Sequence, residues 1–416
     1  MFALTLSCVR SHNSRSVSVA ERFKNIKEDS LVYITGKLDS ATSDVINIEV
    51  PQFDYKSRVV GVIDDIFDTL KVVYLETAEN CIIGEITQIE ILRDTIYIRD
   101  QFMAKGVFAF DMQGKFLNRF GAIGQGPYEF VEPTDMHVTD DAVIVFDQWQ
   151  NKIIKYRHSG ERISERRIPF LCFMMMELSE NSYLYRGINS DNKHMPSILN
   201  YQFWHGDSTN NIDKVGLYRE YDKYDTYLSW QHLVRSVKPN ESYFYSDIND
   251  TIYQINTDGG FIPKYKFDFK SNHNLEHRLF DNPRAKKASN QGEYISLNSF
   301  DFFDNYVLYS LHTATRSTIV LQNLITKEAR YYNSSYIYKS NLSRLLFLTN
   351  PKARSDDWFV FNVRASKIKD TYEQVKTESK WWEDAPLSII EFDKKLGEKV
   401  SEDSNDVLVF AKIKEI

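Results

Sequence analysis

Three histidines stand where chemistry could be done. His137 in TDMHV and His232 in WQHLV fall within short segments of strand-like pattern, and His312 in YSLHTATRS lies near the end of another. Three imidazoles brought to one point would bind Zn²⁺ and leave a coordination position open for water or substrate. The plainer reading is three unrelated polar residues on strands and turns. Calcium wants six to eight oxygens, and Asp135, Asp247 and Asn249 are possible donors. Asp100, Asp147 and Asp247, however, recur at one point of a repeated pattern. That reads as side chains capping turns by accepting nearby backbone amides. A third group pairs aromatic or imidazole rings with arginine: Arg186 in YRGINSDNKH, Trp230 and Arg235 in YLSWQHLVR, and Arg316 in HTATRS. Forked hydrogen bonds and ring stacking from such groups hold carboxylates or sugars. No G-x-S-x-G elbow, HExxH helix or Walker loop occurs. The ligand-binding candidates are therefore His137, Arg186, Trp230, His232, Arg235, His312 and Arg316. No catalytic residue or metal site is assigned, and the cofactor stays open, Ca²⁺ or Zn²⁺ belonging only to an enzyme reading.

Glycine is sparse, 16 in 416 residues, yet Gly121, Gly124 and Gly126 crowd into FGAIGQGPYEFVEP. A phosphate-cradling loop would need a helix directly after it, with its N-terminus facing the phosphate. Here Pro127, Pro133 and an alternating pattern follow. The stretch reads instead as a sharp connector, glycine permitting positive φ and proline fixing it.

The elements around these residues repeat. ITQIEILRDTIYIRD (86–100) and PTDMHVTDDAVIVFD (133–147) both read as a strand, an acidic turn and a second strand ending on Asp. A third strand, a Gly-centred hairpin and a fourth strand follow in each copy, with a period of about 47 residues. The order recurs over 242–267 and again over 305–332, where Ser310 takes the place of Asp. Four short strands per repeat at this period are the mark of propeller blades. One such sheet cannot bury both faces alone, but radial stacking covers each blade with its neighbours. Blades are expected near 86–130, 133–170, 171–218, 231–269 and 295–333. Residues 343–416 would form a sixth together with N-terminal strands. Val45–Val50, Lys71–Glu76 and Asp406–Ile413 read as strands without partners in their own repeats, suited to closing the ring from both chain ends. The fold class is thus all-β, a six-bladed propeller of four-stranded antiparallel blades spanning 45–416 and preceded by a flexible segment, 1–44. Two polar insertions, Ser271–Tyr294 and Ala365–Pro386, are partly helix-prone, and the first is long enough to cover a channel mouth.

Bulk composition narrows the partners. A net charge of −7 argues against nucleic acid, which needs a basic field. No apolar run approaches the roughly 20 residues of a membrane span. Three cysteines are too few for a disulfide framework; Cys81 and Cys172 sit in apolar surroundings and read as buried, inert thiols. Cys8 closes MFALTLSC, a short apolar stretch with Ser7 before the cysteine. That resembles the end of a bacterial lipoprotein signal, with Cys8 acylated. No basic region precedes it, and the apolar stretch is short, as it would be if translation starts upstream.

Three motifs in order resemble a known family. IGQGPYEF (Ile123–Phe130) matches its Gly–Pro corner, with Tyr128 in place of the usual glycine. DDIFDTLKVVYLETAENCIIGEITQI matches its N-terminal pattern, and SNDVLVFAKIK its closing strand, with Asp406 in place of proline. VFDQWQNKIIKY is similar to the central strands of an NHL repeat. From Ile63 to Lys414 the chain resembles the six-bladed β-propeller proteins, related to NHL repeats, that are abundant as envelope lipoproteins of Gram-negative gut anaerobes. The resemblance implies a periplasm-facing or periplasmic location in the cell envelope, with membrane attachment only through the lipid. It implies little about activity, since a fold does not supply a function. The expected function is a non-catalytic, monomeric binding propeller that takes a protein, peptide or glycan on one face. The alternative is a metal-dependent lyase or lactonase with its site at the channel mouth. Convergence of several of His137, His232, His312, Asp135 and Arg235 in one solvated funnel would favour the latter, and scattering would remove it.

Overall fold

The structure is a computed structural model, and it describes residues 19–40, 44–51, 66–187, 192–219, 233–235, 241–246, 249–269, 296–312, 317–333, 351–377 and 394–414. The alternation of β-branched and aromatic residues forms strands as the period-two pattern requires. In blade one, Gln88–Leu92, Thr95–Asp100, Gly106–Asp111 and Phe116–Phe120 pair antiparallel in sequence order. Blade two repeats this with Asp135–Val138, Val143–Asp147, Lys152–Tyr156 and Arg162–Arg167. Blades three, four and five run over 172–218, 233–268 and 296–333.

Blade six is composite. Ala353–Ser355, Trp358–Val363 and Val407–Ile413 come from the C-terminal part of the chain, and Phe67–Tyr74 supplies the outer strand. Val407 pairs with Tyr74 and Lys412 with Thr69, so strands from both parts of the chain close the ring. The core confirms the circle. Each pair of neighbouring blades shares a buried apolar cluster, the last joining Val360, Leu408 and Phe410 of blade six to Ile89, Ile96 and Phe108 of blade one. No blade could bury these faces by itself, which is why the six cohere.

The expected placement of Val45–Val50 needs correction. Its strand, Ile46–Glu49, does not close the ring but adds to the outer edge of blade four, parallel to Phe261–Asp268. Val32–Lys37 does the same for blade three, parallel to Ile212–Tyr218. Both blades therefore have five strands, and paired structure begins inside the segment that the sequence reading kept outside the propeller. The physical gain is the covering of two outer edges whose N–H and C=O groups would otherwise face solvent.

The glycine-rich stretch is a connector. It leaves the outer strand of blade one at Phe120, and Ala122–Ile123 pairs briefly with Glu129–Phe130 before the inner strand of blade two begins. Gly121 has φ +70°, and a Cβ there would lie 2.5 Å from the Tyr156 hydroxyl. Tyr128 adopts φ 57° at the position where the resembled family has glycine. Of the two insertions, Ala365–Thr377 is a helix whose Ile368 and Tyr372 pack on blade six. Ser271–Tyr294 lies outside the described residues. Among the described residues no helix is long and apolar enough to cross a membrane.

Candidate functional site

The inner strands of all six blades wall one central cavity of about 660 Å³. At one end stand the segments entering the inner strands, among them Glu85–Thr87 and Pro351–Lys352, together with the Gln101–Phe102 turn of blade one. This is the face on which the blade-to-blade connections run. The first turns of the blades, such as Arg93 and Asp356, lie towards the other end.

An inner strand has one unpaired edge, and its amides need acceptors. Here the neighbouring blade provides them. Gln88 Oε1 and Glu90 Oε2 of blade one accept from the N–H groups of Met136 and Val138 in blade two, at 3.2 and 2.6 Å. One blade further on, Asp135 Oδ2 and His137 Nδ1 accept from the N–H groups of Met175 and Glu177, at 2.9 and 3.0 Å. The i and i+2 side chains of one strand thus stitch the i and i+2 amides of the next. Period-two alternation makes this possible, since it sends both side chains to the same face.

Charge gathers on these stitches. Arg235, next to the inner strand of blade four, makes a forked pair with Asp135 at 2.7 and 2.8 Å and donates to the Met175 carbonyl at 3.0 Å. Glu90 Oε1 lies 3.5 Å from the same guanidinium. Burial opposes the charge on Arg235, but Asp135 and Glu90 outweigh it and hold its pKa above the ordinary value. Burial pushes Glu90 up to about 7 against the pull of Arg235 and the Val138 amide. Burial, with Arg235 and Lys155 adding to it, pushes His137 down to about 3. His137 is thus a neutral imidazole whose Nδ1 lone pair is committed to a backbone amide. On the other side of the channel, Arg354 lies 3.0 Å from Glu241 and 3.5 Å from Asp301. Asp301 is raised to about 6 by burial, which Arg354 only partly offsets.

The candidates from the sequence divide. His137, Arg235 and Asp135 converge in the channel. Arg186 is buried under the Phe244 ring, 5.1 Å from its centroid, between blades three and four, and does not line the cavity. His312 ends the second strand of blade five. Trp230, His232, Arg316, Asp247 and Cys8 lie outside the described residues. Asp135 engages Arg235 rather than standing as a free oxygen donor. Among the described residues no group of three or more His, Cys, Asp or Glu is placed to hold a metal. Asp100 and Asp147 act as turn caps. Asp100 accepts from the amides of Gly84, Glu85, Phe102, Met103 and Ala104, and Asp147 from those of Val131, Trp149 and Gln150. Cys81 and Cys172 are fully buried, and burial raises both thiols.

Sequence reasoning passed over Gln88, Glu90, Arg99, Lys352 and Arg354. Gln88 and Glu90 carried a usable signal: they occupy the positions in blade one that Asp135 and His137 occupy in blade two. Lys352 precedes, and Arg354 lies within, a three-residue strand, Ala353–Ser355, too short to show an alternation.

The family described as domain of unknown function DUF4934 matches residues 45–412. No curated protein matches the chain. Among solved structures, one from Bacteroides fragilis NCTC 9343, named as an exported protein, is similar at 18% identity and a TM-score of 0.69. That match covers 89% of this chain and 100% of the other. A member of the DUF4221 family from Bacteroides vulgatus ATCC 8482 is similar at 9% identity and a TM-score of 0.46, covering 84% of this chain and 97% of the other.

Proposed function

The chain belongs to the DUF4934 family, and from that premise we propose that it is a non-catalytic, exported envelope propeller that binds a polar peptide or glycan at one mouth of its channel. The observation that carries this reading is the 660 Å³ cavity walled by all six blades and rich in charged and amide side chains. Its size suits a short oligomer, and enclosed concave sites with a few convergent polar groups are the usual places for ligands. The groups that looked most like catalysts support binding rather than turnover. His137, Asp135 and Glu90 use lone pairs to hold neighbouring strands, and Arg235 is engaged by Asp135 and the Met175 carbonyl. Export is supported by the lipoprotein-like MFALTLSC stretch and by the name of the Bacteroides fragilis relative. A thermal-shift screen of glycans and peptides tests the reading. A hit should lose its shift when Ser299→Trp fills the channel wall; a shift that survives places binding elsewhere and refutes the proposal.

One observation favours the second reading, a metal-dependent lyase or lactonase. His137, Asp135, Arg235 and Glu90 share one cavity, and Glu90 titrates near neutral pH, as acid–base groups do. Metal analysis of the purified protein decides between the two: a stoichiometric, tightly held ion would favour the enzyme.

A further inference from the structure

Most charges of the channel cancel in pairs. Arg235 has Asp135 and Glu90, Arg354 has Glu241 and Asp301, Arg93 has Asp140 at 3.1 Å, and Glu85 has Arg364 at 3.6 Å. Two cations lining the cavity have no carboxylate at ion-pair distance among the described residues, and both belong to the connection-side mouth. Arg99 is 8% exposed. Its guanidinium donates to Gln88 Oε1 at 2.8 Å, Gln101 Oε1 at 2.8 Å and the Pro133 carbonyl at 3.0 Å. These acceptors are neutral, so no carboxylate contacts the guanidinium, although Asp135, Glu90 and Glu132 stand near enough to offset part of its charge. The Lys352 ammonium makes no hydrogen bond or ion pair among the described residues, while its backbone N–H is tied to the Val360 carbonyl at 2.7 Å. Partial withdrawal of the ammonium from water pushes Lys352 below the usual lysine range; Glu85 opposes this more strongly than Arg99 adds to it, and Asp406 opposes it too. Lys352 is exposed and Arg99 buried, and both line the same cavity, so an anion entering there meets two cationic donors.

We infer that Lys352 and Arg99 form an anion subsite at this mouth, and that its ligand is a carboxylate-bearing saccharide whose ring lies on Phe102. The inference rests on the binding reading above and names its ligand class. Phe102 lines the same cavity, is 53% exposed, and sits on a turn whose Phe102 N–H donates to Asp100 Oδ1 at 3.1 Å. The next blade repeats the device. Trp149, 62% exposed, hangs from Asp147, and Gln148 N–H donates to Thr134 as Gln101 N–H donates to Thr87. Two exposed rings on one face give successive sugars apolar platforms, while the cations take the carboxylate through charge-assisted hydrogen bonds. A peptide fits less well. Peptides commonly add to a sheet edge through main-chain bonds, yet the inner-edge amides of Met136, Val138, Met175 and Glu177 already have side-chain acceptors.

The test is isothermal titration of the full chain with trigalacturonate, with its methyl ester, and with a tripeptide of glutamate. The acid should bind at least about tenfold more tightly than the ester, the weight of one charge-assisted contact. Lys352→Met should remove that advantage and leave ester binding unchanged, while Lys352→Arg keeps it. Phe102→Ala should weaken acid and ester alike. Equal affinity for acid and ester would remove the anion subsite while leaving a channel that binds saccharides. Preference for the peptide, or no binding of either saccharide, would overturn the saccharide assignment. The ligand screen with Ser299→Trp judges the broader binding reading separately.

Discussion

His137 offers the sharpest check on the stitched channel. Its Nδ1 accepts the Glu177 amide at 3.0 Å, so the folded protein requires the neutral ring. Protonation would set one donor against another inside a desolvated wall. The folded pKa is about 3, against about 6.5 for an unfolded histidine. A histidine depressed on folding binds more protons when unfolded, so its contribution is complete above about pH 6.5 and declines as pH falls towards 3. Integrated from pH 8 to pH 5, the linkage amounts to about 2 kcal/mol lost through this residue alone. His137→Asn places a neutral amide oxygen near the Nδ1 position and does not titrate. Denaturant unfolding of both proteins at pH 8 and pH 5 gives the comparison. The wild type should lose about 2 kcal/mol relative to the variant between the two values. Taking the difference removes every other titrating group, including Glu90, whose effect has the opposite sign. Equal pH shifts in the two proteins would refute the claim that this ring is held neutral by the amide of the next blade.

Glu90 is the counterpart. Its folded pKa of about 7 lies above the unfolded value, so the wild type loses stability as pH rises from about 4.5 to 7. Glu90→Gln keeps an acceptor for Val138 and should gain about 2.5 kcal/mol on the wild type between pH 5 and pH 8, read from unfolding midpoints. Asp100→Ala leaves five backbone amides without their acceptor. It should cost at least about 3 kcal/mol and expose the 101–104 turn to rapid hydrogen exchange. Phe361→Ala deletes a fully buried ring set edge-on to Phe67 at 5.7 Å, across the composite blade. A loss of about 3–5 kcal/mol in global unfolding is expected; fraying confined to residues 66–74 would mean the ring is stable without its closing strand.

The sequence alone determined the blades and their order. Alternation, acidic turns and Gly-centred hairpins are local signals, and the same signals recurring at one period leave no compact arrangement but radial stacking. The turn-capping role of Asp100 and Asp147 was legible for the same reason, because the amides they bind are mostly a few residues away. Closure by Lys71–Glu76 and Asp406–Ile413 was also legible, since each strand lacked a partner in its own repeat. The tertiary structure alone decided which edge Val45–Val50 covers, because a lone strand matches any open edge equally well. It also decided what the channel residues do. Arg235 meets Asp135 across 100 residues of chain, and His137 binds an amide 40 residues on. Period-two alternation says which face of the strand a side chain leaves from. It does not say which neighbour stands opposite, because depth along the axis and rotation between blades are set by packing. For that reason the sequence left His137 open between a plain polar residue and a metal ligand, and the fold makes it a structural acceptor, while Lys352 and Arg99 stood out as cations without a carboxylate contact only once the other channel charges had found their partners.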